Sequence, residues 1–208
     1  REAVHGWAGE VGVRHGHADI VVNNAGVALV ATVEESDYAD LEWLMGINFW
    51  GVVHGTRAFL PLLRRAQQGH LVNISSVFGL IGVPTQSAYN AAKFAVRGYT
   101  EALRQEMAGS NVHVCCVHPG GIRTAIARNA RGGLTGLTAE ERGTEFEKLA
   151  RTTPESAAAQ IVRAIERRRE RLLIGRDARY ISLISRLFPA GYPRLLPKLG
   201  RPDHSLGR

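Results

Sequence analysis

The chain has 208 residues, of which 45% are hydrophobic and 22% charged, with a net charge of +7. This is the composition of one globular domain with a real core, and it excludes a disordered or low-complexity chain. No apolar run approaches the ~20 residues that cross a bilayer, and the opening REAVHGWAGE does not read as a secretory signal, so a cytoplasmic protein is expected.

Residues 1–15 read as a helix with Val4, Trp7, Ala8 and Val11 on one side. The wholly apolar run at 20–22 has the pattern of a central parallel strand buried on both faces. Asn23-Asn24-Ala25-Gly26 follows as a strand-end turn, since Asn and Gly accept unusual backbone angles. A long helix is expected from about Glu34, with Ser36 as its N-cap and apolar coverage wider than one stripe, from Leu41 to Leu63. Asn48 stands in its middle, where an amide reads as a satisfied core group.

Residues 70–74 form the next strand, and Ser76 lies just past its end. A helix over 87–107 and a strand over 112–117 come next; the strand holds the only cysteines, Cys115 and Cys116. Adjacent strand residues face opposite ways, so two buried reduced thiols are expected rather than a bridge. No Cys/His cluster has zinc-ligand spacing, and no metal is expected. Residues 124–150 read as a mobile loop with a helical part at 139–150, and another helix runs from Pro154 through the RRRE of 167–170. A last strand at 172–174 leads into a tail, 176–208, of short helix broken by Pro189, Pro193 and Pro197. Alternating strands and helices predict an α/β, Rossmann-like, doubly wound parallel sheet in one domain over residues 1–175. Four strand candidates are few for such a sheet.

Residues 151–208 hold 13 Lys/Arg against 5 Asp/Glu, a balance of +8, which leaves −1 for residues 1–150. The basicity belongs to the C-terminal segment. RRRER at 167–171 reads as a solvated helix end, where cations suit the dipole, and no nucleic-acid partner is expected. Leu187, Phe188, Tyr192, Leu195 and Leu196, with Arg194 and Lys198, are the residues with which the tail could touch a membrane surface.

The stretch 73–93 carries the chemistry. Tyr89 and Lys93 are four apart, one turn up the same helix face, and an ammonium beside a phenol favours the phenolate. Ser76 emerges at a strand's carboxyl end, where open α/β sheets place their sites. YxxxK alone is a weak signal. With VNNAG at 22–26, Asn48, NISS at 73–76, YNAAK at 89–93 and HPGGIRT at 118–124 in order, and an interval of 13 from Ser76 to Tyr89, the chain resembles a short-chain dehydrogenase/reductase of the common type.

The resemblance implies an NAD- or NADP-dependent oxidoreductase interconverting a secondary alcohol and a ketone. It casts Tyr89 as acid/base and Lys93 as the group that lowers the phenol's pKa and bonds the nicotinamide ribose. Ser76 would polarise the substrate oxygen, and Asn48 would hold a relay water. It places the cofactor against Asn24, Ala25, Gly26, Tyr89, Lys93, Pro119, Gly120, Ile122 and Thr124, and homodimers or homotetramers are common in such proteins. Phe78, Val83 and Gln86 should line the substrate side with 124–150 as a lid, while His118 is as readily structural as substrate-facing. The family's TGxxxGxG turn is nowhere in this sequence, so an N-terminally truncated chain that binds cofactor weakly is expected. The rival reading is an inactive dehydrogenase-like fragment acting as a binding or scaffold protein.

Overall fold

The computed structural model describes residues 1–132 and 138–196. Helix α1 (Glu2–His15) leads into strand β1 (Ile20–Asn23). Helix α2 (Tyr38–Met45), a π-helical turn (Gly46–Trp50) and helix α3 (Gly51–Leu63) then run on without a break. Strand β2 (Gly69–Ile74), a 3-10 turn (Val77–Gly79), helix α4 (Ser87–Glu106) and strand β3 (Val112–Pro119) follow. The chain continues through α5 (Ala139–Leu149), α6 (Pro154–Glu166), strand β4 (Arg171–Ile174), α7 (Arg176–Leu187) and α8 (Tyr192–Leu195). The four strands form one parallel sheet in the order β1-β2-β3-β4.

Alternation along β2 and β3 splits the core into two layers. Leu71 and Val114 meet Leu63, Leu103 and Met107 on the α3/α4 side, whereas Val72, Cys115 and Val117 meet Ala157 and Ile174 on the α6 side. Helix α4 buries Ala88, Ala92, Val96 and Leu103 at helical spacing; Leu103 packs on the sheet with Leu71 and Val114, while Ala88 and Ala92 meet Leu29 and Leu44. Local chemistry sets several helix starts: Thr138 and Glu141 form a capping box at α5, and Thr153 caps α6 ahead of Pro154. Both cysteines are free and buried.

At the carboxyl ends of β1 and β2 lies a polar seam. Asn23 donates to Asn73 Oδ1 at 2.8 Å and to Thr56 Oγ1 at 3.3 Å. Asn73 donates in turn to Thr100 Oγ1 at 3.0 Å, and Thr100 donates to Val96 O at 2.6 Å. This chain of bonds ties β1, α3, β2 and α4 together inside the core. Gly55 makes room for it, since a Cβ there would overlap Asn23 Oδ1.

Strand β1 lies at the sheet's edge, the exposed apolar edge expected of a chain without the family's first strands, and the local pattern of a strand buried on both faces does not hold: among the described residues nothing covers one face, and Ile20 and Val22 are 52% and 43% exposed. Three other expectations need correction. Helix α2 starts at Tyr38 after Asp37, not at Ser36, because Ser36 Oγ is spent on Thr32 O in a turn of its own. Helix α6 stops at Glu166, and the arginines beyond it form a turn in which Arg168 takes a positive φ of 49°. The expected tail is, through Leu196, helix packed on the domain: Ala178, Ile181 and Leu196 are buried against Val77, Ile81 and Val83. Pro197, Lys198 and the rest of the tail lie outside the described residues, as do residues 133–137 of the expected lid. No described helix is long and apolar enough to cross a membrane.

Candidate active site

Because the strands are parallel, their carboxyl ends open on one edge of the sheet. β1 delivers residues 24–26 there, β2 delivers Ser75 and Ser76, and β3 delivers 120–124. Ser75 Oγ donates to Lys93 O at 2.8 Å, and Gly79 lies against the same carbonyl, where a Cβ would come within 2.6 Å. Helix α4 is thereby docked onto the end of β2. Ser76 Oγ accepts from Phe78 N at 3.1 Å and lies close enough to the Tyr89 phenol to favour its charged form. One turn along α4, Lys93 Nζ lies 5.5 Å from the Tyr89 ring centre and donates to Ile74 O at 3.0 Å. The fold therefore brings Ser76, Tyr89 and Lys93 into one cluster.

The electrostatics differ from the expectation in sign. Burial pushes the Tyr89 phenol up to about 12, and the Ser76 hydroxyl opposes this only in part. Burial also brings the Lys93 amine down to about 8, against a small opposing contribution from Cys116. An ammonium was expected to lower the phenol's pKa. Desolvation sets the direction here, and the amine, 5.5 Å from the ring centre, donates to a main-chain carbonyl instead.

Asn48 is fully buried within the π-helical turn, a distortion common at functional sites. Its Oδ1 accepts from Val27 N at 2.8 Å, and its Nδ2 donates to Val27 O at 2.9 Å. The amide thus acts as a brace for the 24–28 loop, with both its groups committed to main chain. Asn24, Ala25 and Gly26 are exposed, and a Cβ at Gly26 would stand 3.4 Å from Asn48 Oδ1 and 3.5 Å from Lys93 Nζ. Both are ordinary contact distances, so the loop's backbone lies beside Asn48 and the lysine without glycine being required there.

After Pro119 the chain turns with Gly120 N donating to Ile174 O at 2.9 Å and Gly121 N to Asp177 Oδ2 at 2.7 Å. Ile122 pairs with Thr152 in an isolated bridge, and Thr124 is exposed. Asp177 was not singled out from the sequence, since only the fold brings the start of α7 to this loop.

Of the residues expected on the substrate side, Phe78 meets the Tyr89 ring edge-on at 6.0 Å between centroids. Val83 packs instead in the core beneath α7 and α8, and Gln86 stands before α4 beside Ala31. Asn90 was missed. Its Oδ1 accepts from Val83 N, and its Nδ2 donates to Phe78 O and Ile81 O, so one amide shapes the whole 78–83 segment. The signal in the sequence is an amide beside Tyr89, which the motif alone does not set apart.

His118 is fully buried, with Nδ1 3.1 Å from Ser76 O. A carbonyl can only accept, so the neutral ring carries its proton on Nδ1. Burial brings its pKa down to about 4 despite that bond. Between about pH 6.5 and 4 the unfolded chain binds a proton that the folded one refuses. Stability should therefore fall as pH drops through this window, by up to ~3 kcal/mol from this ring. Urea midpoints at several pH values test this. His118→Asn, which keeps a donor for Ser76 O, should flatten that part of the slope.

The family model described as short chain dehydrogenase matches residues 1–134. SadH of Mycobacterium tuberculosis is 48% identical over 202 residues, covering 94% of this chain and 72% of its own length. A short-chain dehydrogenase from Streptomyces avermitilis superposes with a TM-score of 0.75 at 30% identity, over 95% of this chain and 75% of that one. A short-chain dehydrogenase/reductase from Burkholderia phymatum, solved in complex with NAD, gives 0.76 at 26% identity over 99% and 75%. The order of motifs, the parallel sheet and these likenesses agree: the chain belongs to the short-chain dehydrogenase family.

Proposed function

We propose that the chain carries the proton-transfer half of an NAD- or NADP-dependent oxidoreductase that interconverts a secondary alcohol and a ketone. The observation that carries this reading is the cluster of Ser76 hydroxyl, Tyr89 phenol and Lys93 amine where β2 ends. In reduction, Tyr89 gives its proton to the carbonyl oxygen as that oxygen gains charge. Ser76 Oγ already accepts from Phe78 N, so its own proton is available for the same oxygen. Lys93 spends one N–H on Ile74 O and has further donors for a ribose.

The residues present fit the nicotinamide–ribose end of the cofactor. Asn48 braces the loop that carries residues 24–26 through Val27, and Asp177 and Ile174 hold residues 120 and 121 in place. When bound, the nicotinamide supplies or accepts the hydride. Among the described residues no strand opens through a glycine-rich turn into a helix to receive a pyrophosphate, so weak cofactor binding is expected. Trp50 and Phe94, exposed beside α3 and on α4, support a homodimer or homotetramer through those helices.

At neutral pH the buried phenol is protonated, which is the form that reduction needs. Carbonyl reduction should therefore be flat from acid to neutral pH, while alcohol oxidation should rise toward alkaline pH; kcat/KM in both directions checks this. The function itself is tested by following oxidation of NADH and of NADPH, each at millimolar concentration, with a panel of apolar ketones. Ketone-dependent oxidation supports the reading, and none with either cofactor overturns it.

A further inference from the structure

Helix α7 has two apolar faces. One buries Ala178, Ile181 and Ser182 against the domain. The other, on the opposite side at helical spacing, presents Tyr180, Leu183 and Leu187 to solvent at 55%, 55% and 62% exposure. Phe188 and Leu195 extend this exposed strip toward α8 at 48% and 46%. The strip is held firmly: Tyr192 Oη accepts from Gly82 N at 2.8 Å, and Leu196 is buried in the core. Its exposure is thus a property of the packed domain and does not come from a loose end.

Charge selects the occupant. Arg176, Arg179, Arg186 and Arg194 are all exposed around the strip. The single acid in residues 176–196 is Asp177, whose carboxylate is engaged by Gly121 N. A second copy docking on this face about a two-fold axis would set arginine against arginine with no acid to answer. An apolar stripe flanked by arginines is instead the pattern of a helix lying in the boundary of an anionic bilayer.

We propose that the α7–α8 face docks on anionic lipid surfaces, with Tyr180, Leu183 and Leu187 entering the headgroup boundary and the arginines meeting lipid phosphates. The surface is separate from the Ser76–Tyr89–Lys93 cluster and does not depend on its chemistry. Two of the residues first considered for such contact, Tyr192 and Leu196, face the domain and serve as its anchors.

Sedimentation of the full chain with phosphatidylcholine vesicles, with and without phosphatidylglycerol, tests this. Binding should need phosphatidylglycerol and weaken with salt. Leu183→Ser with Leu187→Ser alters only exposed side chains and should abolish binding while the circular dichroism is unchanged. Arg179→Glu with Arg186→Glu should weaken binding by roughly 30-fold or more. Equal binding to both vesicle types, or full binding by the Leu183→Ser/Leu187→Ser chain, overturns the proposal. So does a dimer on gel filtration that this serine variant dissolves, which would make the face a contact between copies.

Discussion

Tyr89→Phe is expected to lower kcat/KM for carbonyl reduction by about two to four orders of magnitude, with the fold unchanged. The substitution removes one oxygen. That oxygen lies close to Ser76, and the ring's edge-on contact with Phe78 does not need it. A phenol that is protonated at neutral pH, and is held so to still higher pH by burial, makes the lost group the acid that completes reduction. Millimolar cofactor keeps weak binding from hiding the effect. The loss should fall on kcat as well as on kcat/KM, since the proton moves only in the transition state. A variant that retains half of the activity would remove Tyr89 from the chemistry.

The largest expected effect on stability comes from Asn48→Leu. The native amide meets Val27 N and Val27 O together, deep in the π-helical turn. Leucine has similar volume but offers neither group, so it leaves a donor and an acceptor of Val27 without partners. Each costs about 1–3 kcal/mol, and the pair about 2–6 kcal/mol. That corresponds to a fall of roughly 4–24 °C in the melting temperature for a chain of this size, read by calorimetry. The same change frees the 24–28 loop over Lys93, so KM for NADH should rise in whatever folded enzyme remains. An unchanged melting temperature would mean that the brace is not needed.

Much of this site could be read from the sequence because its chemistry is local. Tyr89 and Lys93 are one helical turn apart, and Ser76 directly follows an apolar run that had to be a strand. What escaped reading depends on tertiary neighbours. The amides of Asn23 and Asn73 are 50 residues apart, and no periodicity announces that they meet. Ile20 and Val22 have the local pattern of a sheet's middle, and only the lack of the family's first strands pointed to an exposed edge; their exposure comes from a face of β1 that no described residue covers. The π-helical turn at Asn48 keeps the same amphipathic pattern as the helices that flank it. Pro189 marks a break, and the chain does break there between α7 and α8; what the sequence did not show is that the inner face of α7 completes the core. The sign of the Tyr89 shift was also out of reach, because the spacing of a phenol and an amine says nothing of how deeply both are buried.

The measurement that bears most directly on the shared site is a double-mutant cycle on kcat/KM for ketone reduction, with Ser76→Ala, Tyr89→Phe and both together. If the two hydroxyls act on one substrate oxygen, their effects are strongly non-additive. The double variant should then be little worse than Tyr89→Phe alone. Losses that multiply in full would show two groups working independently, and would contradict a common oxygen between Ser76 and Tyr89.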